Sequence, residues 1–287
     1  MRIALVSDIH GNLIALDAVL ADAHALGVEQ FWFIGDFSAI GPEPATVLDR
    51  VTGLSNARFT RGNTDRYVVT GDRPPPDLDT VRSNPALITT YAGIAASLAW
   101  TRGFLTASGW LDWLARLPLD IRLTTPEGIR ILAVHAAPGS DDGEGIHPGR
   151  SNAELAQLIA DSDADVIFVG HTHQAMIRRV GRVPVVNLGS VSNPRSDDLR
   201  ASYVLLDITA SGVEFVHRRV PYDHGAFSES VYRSRHPAVE FILSYQRGEQ
   251  SGREPHADDT PFRLGEPVRV AAAAISVDED VSRVTER

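Results

Sequence analysis

The chain has no cysteine and no lysine. Without thiols there are no disulfides, no thiolate metal ligands and no Cys nucleophile. Without lysine there is neither a P-loop lysine nor Schiff-base chemistry. All 27 basic residues are arginine, a skew for which compositional bias accounts in large part. Arg is therefore the only side chain of permanent positive charge that can grip a phosphate, which its planar fork does well. A long hydrophobic run is also missing: no apolar stretch approaches the ~20 residues of a membrane-spanning helix. The net charge of −10 opposes a broad grip on nucleic acid, which needs a positive surface. Met1 to Val6 gives way at once to polar Ser7 and Asp8, and reads as a first strand rather than a signal peptide. The expectation is a cytoplasmic protein with neither a membrane nor a nucleic-acid partner.

What is present is enough for one sizeable core, with 287 residues of which 43% are hydrophobic. Short apolar runs read as buried strands at 3–6, 31–34, 129–134, 166–169, 183–186 and 203–208. Weaker strand signals lie at 57–60 and 213–216. Asn12 is placed to cap a helix through Leu26, with Leu13, Leu16, Leu20 and Ala23 on one stripe and Gly27 as its stop. Trp110, Trp113, Leu114 and Leu117 keep helical spacing up to Pro118. Ser151 or Asn152 can cap another helix, with Leu155, Leu158 and Ile159 inward. Alternating strands and helices imply an α/β layered fold with a mixed sheet. The three prolines ending Gly71–Pro76 mark a loop. A helix is expected over His236–Gln246 and a polar linker over Gly248–Glu266, while Val268–Ile275 fits a strand or a helix. This divides the chain into a domain over 1–225 and a C-terminal extension over 226–287, helical and then partly disordered.

Chemistry-bearing residues recur directly after the apolar runs. Asp8 and His10 follow the first, Asp36 the second, Asn63 the third, His135 the next, and His171 and His173 the one after. Taken singly, an Asp-x-His or Gly-Asp pair is common in solvated loops, and a lone His135 fits a satisfied core histidine. Two imidazoles flanking one residue in Gly170-His171-Thr172-His173 are rarer. Parallel strands deliver ligands at their carboxyl ends, so the ordered set places at least six oxygen and nitrogen donors on one rim. Such donors suit Mn, Fe, Zn or Co more than Ca, and a carboxylate such as Asp36 can bridge two cations.

The order of these motifs resembles the calcineurin-like metallophosphoesterases over about residues 1–222. Asp8-Ile9-His10-Gly11-Asn12, Gly41-Pro42-Glu43-Pro44, and Asn187-Leu188-Gly189-Ser190-Val191 followed by Pro194-Arg195 are similar to its small prokaryotic branch, which includes YfcE-like and diadenosine-tetraphosphatase-like proteins. The resemblance implies a four-layer α/β/β/α sandwich of two mixed β-sheets flanked by helices. It also implies two divalent or mixed-valence transition-metal ions, Mn and/or Fe first, with Zn, Ni or Co as alternatives. One ion would take Asp8, His10, Asp36 and His173, and the other Asp36, Asn63, His135 and His171. The implied activity is hydrolysis of a phosphate ester, mono- or diester, by a metal-activated hydroxide.

One position departs from the family pattern. Gly-Asn-His-Asp/Glu is usual at the third motif, where the histidine is thought to protonate the leaving oxygen. Here the residue is Thr64, and Asp65 keeps the acidic place. A threonine hydroxyl cannot act as an acid near neutral pH. Asp36, Asn63, Thr64 and Asp65 are the catalytic set this leaves. Three residues are candidates for substrate contact. Arg195 suits a bidentate phosphate grip, or an ion pair with Asp197 or Asp198. His147, in the loop after His135, could fold over the site or remain an exposed loop residue. Asn12 can cap a helix, support the first motif, or both. The partner expected is a small phosphorylated substrate, with a homodimer as one oligomeric state. A metal-binding but catalytically weakened scaffold or regulatory module is the alternative that Thr64 raises.

Overall fold

The computed structural model describes residues 1–250 and 263–271. Its strands are β1 (Arg2–Val6), β2 (Gln30–Ile34), β3 (Ala57–Thr60), β4 (Asp120–Thr124), β5 (Arg130–Val134), β6 (Val166–Val169), β7 (Met176–Val180), β8 (Val183–Asn187), β9 (Ala201–Thr209), β10 (Gly212–Val220) and β11 (Val268–Ala271). Its helices are α1 (Leu13–Ala25), α2 (Pro44–Thr52), α3 (Asn63–Thr70), α4 (Leu78–Ser83), α5 (Ile88–Ala107), α6 (Leu111–Ala115), α7 (Asn152–Ile159), α8 (His224–Ser234) and α9 (Val239–Gln246).

The strands form two mixed sheets, ordered β11-β10-β9-β1-β2-β3 and β4-β5-β6-β8-β7. In the first, β1, β2 and β3 are parallel neighbours. In the second, β5, β6 and β8 are parallel neighbours. The two-residue period of a strand explains the layering. Ile3, Leu5, Trp32 and Ile34 face Ile131, Ala133, Val166 and Phe168 in a core between the sheets. Their neighbours Ala4, Val6, Phe31 and Phe33 point the other way, onto buried residues of α1 and α2. On the far side Leu132, Val134, Ile167 and Val169 pack on Leu155 and Ile159 of α7. Two mixed sheets thus lie between helices, the architecture that the motif order implied.

The Asn12 cap is present, its side chain accepting from the Ala15 amide, and Ser151 caps α7 with Glu154 completing a capping box. Six elements fall outside those expected from the sequence: α2, α3, α4, α5, β4 and β7. The edge strands β4 and β7 carry Asp120, Arg122, Arg178 and Arg179 among their apolar residues, so neither is an apolar run. Helix α5 buries only Ser97, Leu98, Thr101 and Leu105 of its 20 residues, too few to trace a stripe. The residues after 225 are built into the fold rather than appended to it. Phe227 and Val231 of α8 pack with Ile242 and Leu243 of α9 against Ile14 and Ile40. β11 pairs antiparallel with β10, and Val268 is 3% exposed within the core between the sheets. Most of the expected linker, and the disorder expected in the tail, fall outside the described residues.

If β11 contributes to stability as its burial indicates, Val268→Ala lowers the unfolding free energy by about 2 kcal/mol. Urea denaturation checks this; an unchanged midpoint would mean that β11 adds nothing to the fold.

Candidate metal centre

The carboxyl ends of β1, β2 and β3 meet those of β5 and β6 across the gap between the sheets. Backbone and side-chain bonds knit this junction. The His135 ring Nδ1 lies 2.7 Å from the Ile34 carbonyl, the Gly170 amide donates to the His135 carbonyl at 2.8 Å, and the His171 amide donates to Asp8 Oδ2 at 3.1 Å. The Ser7 hydroxyl lies 2.6 Å from the same Asp8 oxygen. Close approach demands small residues here. A Cβ on Gly170 would stand 2.0 Å from Ser7 Oγ, and one on Gly62 would stand 2.1 Å from Asp36 Oδ1.

All seven expected ligands come together at this junction. Five of them, Asp8, His10, Asp36, His171 and His173, have positive φ between 48° and 68°. Left-handed backbone costs an L-residue roughly 1–2 kcal/mol, and strain of this kind gathers at functional sites. The ring nitrogens explain what the strain achieves. His10 Nδ1 sits 2.8 Å from the Ala39 carbonyl, and His171 Nε2 sits 2.7 Å from the Gly143 carbonyl. With His135 bonded to Ile34, three imidazoles give a proton to a backbone oxygen, which assigns the tautomer. The other nitrogen of each turns inward and offers a lone pair wherever it is not itself protonated.

Those lone pairs face other acceptors. His10 Nε2 lies 3.0 Å from His173 Nε2, and Asn63 Oδ1 lies 3.1 Å from His135 Nε2 and 3.0 Å from His171 Nδ1. Asp8 Oδ1 is buried without a hydrogen-bond partner, 3.2 Å from His173 Nε2 and 3.8 Å from His10 Nε2. Asp36 Oδ2 lies 3.7 Å from His10 Nε2 and 3.4 Å from His135 Nε2, so one oxygen faces both groups of histidines. Acceptors converging in this way repel one another unless a cation or protons lie between them. Asp8, His10 and His173 form one cluster of metal-ligating geometry, and Asp8, Asp36 and His135 another. The donor set fits divalent transition metals.

Protons compete for the same atoms. Burial disfavours a charged His135, but the Asp36 and Asp8 carboxylates overcome it and raise its pKa to about 10. Burial lowers His10 and His171. Burial and the Asp36 charge raise Asp65 to about 7, against three backbone donors.

Thr64 and Asp65 both act on Asp36. The Thr64 hydroxyl and amide donate to Asp36 Oδ1 at 2.8 and 3.0 Å, which leaves Oδ2 for the histidines. Asp65 accepts from the amides of Asp36, Gly62 and Phe37 and so ties the second motif to the start of α3.

The three residues expected at the substrate are spread more widely. Asn12 is fully buried; its carbonyl caps α1 and its amide donates to Ser192 at 3.2 Å. Arg195 is exposed. Its amide donates to the His173 carbonyl at 3.0 Å and its guanidinium reaches the Gln250 carbonyl at 3.4 Å. Asp198 is bonded to Arg200 instead. The loop bearing His147 does fold against the His171 turn, through Gly143 and through the Ile146 carbonyl, which accepts from Thr172 and Asn187. Within it, His147 Nδ1 accepts from the Gly149 amide. Two contributors left no local signal in the sequence. Tyr245 of α9 has its ring centroid 6.1 Å from that of His173, and Tyr67 donates to Asp142 at 2.6 Å.

Comparison with known proteins bears on this site. The family model of the calcineurin-like phosphoesterase superfamily domain matches residues 1–211. An uncharacterized protein of Methanocaldococcus jannaschii is 29% identical over 82% of this chain and 93% of its own length. A symmetrical bis(5′-nucleosyl)-tetraphosphatase of Pectobacterium atrosepticum is 31% identical over 47% of this chain, and the match spans 43% of that enzyme. Among solved structures, a metallophosphoesterase from Sphaerobacter thermophilus superposes with a TM-score of 0.65 at 26% identity, over 86% of this chain and 99% of its own. A hypothetical protein from Pyrococcus horikoshii shares the fold at a TM-score of 0.69 and 19% identity, over 84% of this chain and 97% of its own.

Because the ligands bind a cation only when deprotonated and His135 holds its proton to about pH 10, Mn affinity is expected to keep rising with pH through neutrality toward pH 10, with protons released on binding. Calorimetry in buffers of different ionisation enthalpy measures both. Affinity independent of pH would contradict this histidine and carboxylate assignment. Metal loading is also expected to raise the melting temperature.

Proposed function

The chain belongs to the calcineurin-like phosphoesterase superfamily, and on that premise we propose that it is a dinuclear-metal phosphohydrolase cleaving the ester of a small phosphorylated substrate. The observation that carries this reading is the set of inward lone pairs on His10, His135 and His171, opposed by other acceptors. One cation would be held by Asp8, His10, Asp36 and His173, and the other by Asp36, Asn63, His135 and His171. Mn and Fe fit these donors, as do Zn, Ni and Co. When bound, such a pair lowers the pKa of water toward neutrality and neutralises charge on the phosphoryl oxygens.

The chain's own residues set the geometry. Asp36 is held at one oxygen by Thr64, so its other oxygen keeps a fixed direction between the two groups of histidines. Arg195, anchored through its amide to His173, is the arginine we assign to phosphate contact. Thr64 supplies no proton to the leaving oxygen. A positioned general acid is worth ~10²–10⁴-fold, and that loss falls on esters with poor leaving groups. Aryl esters and phosphoanhydrides are therefore the favoured substrates. The partial match to a tetraphosphatase, whose substrate contains phosphoanhydrides, supports this direction.

Metal analysis followed by assay of an aryl phosphodiester tests the proposal. The expected result is two ions per chain and hydrolysis that a chelator removes and Mn restores. A second reading, a metal-holding scaffold, is favoured by Thr64 alone, and metal-replete protein that hydrolyses no phosphate ester would establish it.

Turnover should depend steeply on leaving-group pKa, and a flat series would refute the missing-acid argument. Thr64→His should raise turnover of alkyl esters by at least about tenfold and leave aryl esters less affected. Arg195→Ala should raise KM by about tenfold with a smaller effect on kcat.

A further inference from the structure

A cavity of about 440 Å³ lies between α3, α5 and the start of α9, within the ~300–1,000 Å³ range of small-molecule sites. Its lining is aliphatic, aromatic and hydroxyl-bearing, and contains no charged residue.

Three lining residues also support the metal centre. Thr64 donates to Asp36. Tyr67, one turn further along α3, is hydrogen-bonded to the Asn63 side chain. Ile40 stands between Ala39, whose carbonyl takes the His10 proton, and Gly41, where a Cβ would stand 1.7 Å from the His10 carbonyl oxygen. Ile40 has φ of 70° and is the one β-branched residue with positive φ among the described residues, a conformation such side chains rarely adopt. The chamber wall and the ligand supports for His10, Asp36 and Asn63 are thus the same pieces of chain. Thr64 joins the two, since it lines the chamber and its hydroxyl donates to Asp36.

Resting on the phosphohydrolase reading above, we propose that this chamber receives the organic group of the phosphate ester, an apolar aromatic group of one or two fused rings, while the phosphoryl group sits at the metal centre. The lining offers hydroxyls but no amide or charged side chain to read the edge of a nucleobase. It therefore favours an arene over a nucleoside. Helix α5 leaves room for the group, since a Cβ on Gly93 would meet nothing within 4 Å.

Gly93→Phe tests this by filling the chamber from a helix position where losing glycine also favours folding. Phe241→Ala is the second variant and removes a wall instead. Circular dichroism confirms that each is folded. Two readouts apply to the full chain. The first is binding of 1-naphthol, followed by its fluorescence. The second is the ratio of kcat/KM for 1-naphthyl phosphate to that for hexafluoroisopropyl phosphate in the Mn-loaded protein. The two leaving groups have similar acidity and different shape, so the ratio isolates the chamber from the missing acid. The expected result is saturable 1-naphthol binding by the wild type. In Gly93→Phe, both the binding constant and the ratio should fall by at least about tenfold, with a smaller fall in Phe241→Ala. Unchanged binding and an unchanged ratio in the folded variants would overturn the proposal, as would tighter binding of adenosine than of 1-naphthol. Failure of the phosphohydrolase reading is separately visible. Metal-replete wild type that cleaves neither ester overturns both readings, even where 1-naphthol binds.

Discussion

Three imidazole protons donated outward determine what the centre of this protein can be. His10, His135 and His171 each bond a backbone carbonyl, of Ala39, Ile34 and Gly143 respectively. With those protons committed, the inward nitrogens accept unless a second proton occupies them, as the carboxylates favour at His135, and they meet Asn63, Asp36 and Asp8, which also accept. Such a cluster is unfavourable by itself, and the left-handed backbone at five ligands adds to its cost. The two sheets and their cores must offset that cost, and a bound cation relieves it.

The sheets do so by packing face to face and joining at the carboxyl ends of their central strands. Ser7 spans Asp8 and Ile34, Gly170 packs on Ser7 and Asp8, and Asn187 binds the Gly170 carbonyl and the Thr172 hydroxyl. The Gly170 contact crosses between the sheets, and the others tie neighbouring strand ends within one sheet. The residues after 225 extend the same logic. α9 brings Tyr245 beside His173 and Gln246 onto the Ser192 carbonyl, so the wall of the site depends on chain that lies beyond every metal ligand.

Thr64 ties the start of α3 to the centre. Its hydroxyl is occupied by Asp36, so it steadies a ligand rather than serving a leaving group. The buried, amide-bound Asp65 keeps its place in the motif. Thr64 also lines the apolar chamber, so the proposed aromatic substrate class rests on one residue shared by chamber and centre.

The convergence of the candidate ligands was legible in the sequence because Asp8, Asp36, Asn63, His135 and His171 each follow a strand, and a strand end aims its next residues at the sheet rim. The caps at Asn12 and Ser151 were legible for a similar local reason. The edge strands β4 and β7 were not, since exposed edges carry arginine and aspartate in place of an apolar run. Nor was the pairing of β11, which depends on a partner strand about fifty residues earlier. Local pattern could name candidate ligands but not say which nitrogen of each ring turns inward, because carbonyls of distant residues decide that. The chamber drew on residues 40, 64, 67, 93 and 241, a set with no common period, so only tertiary packing could assemble it.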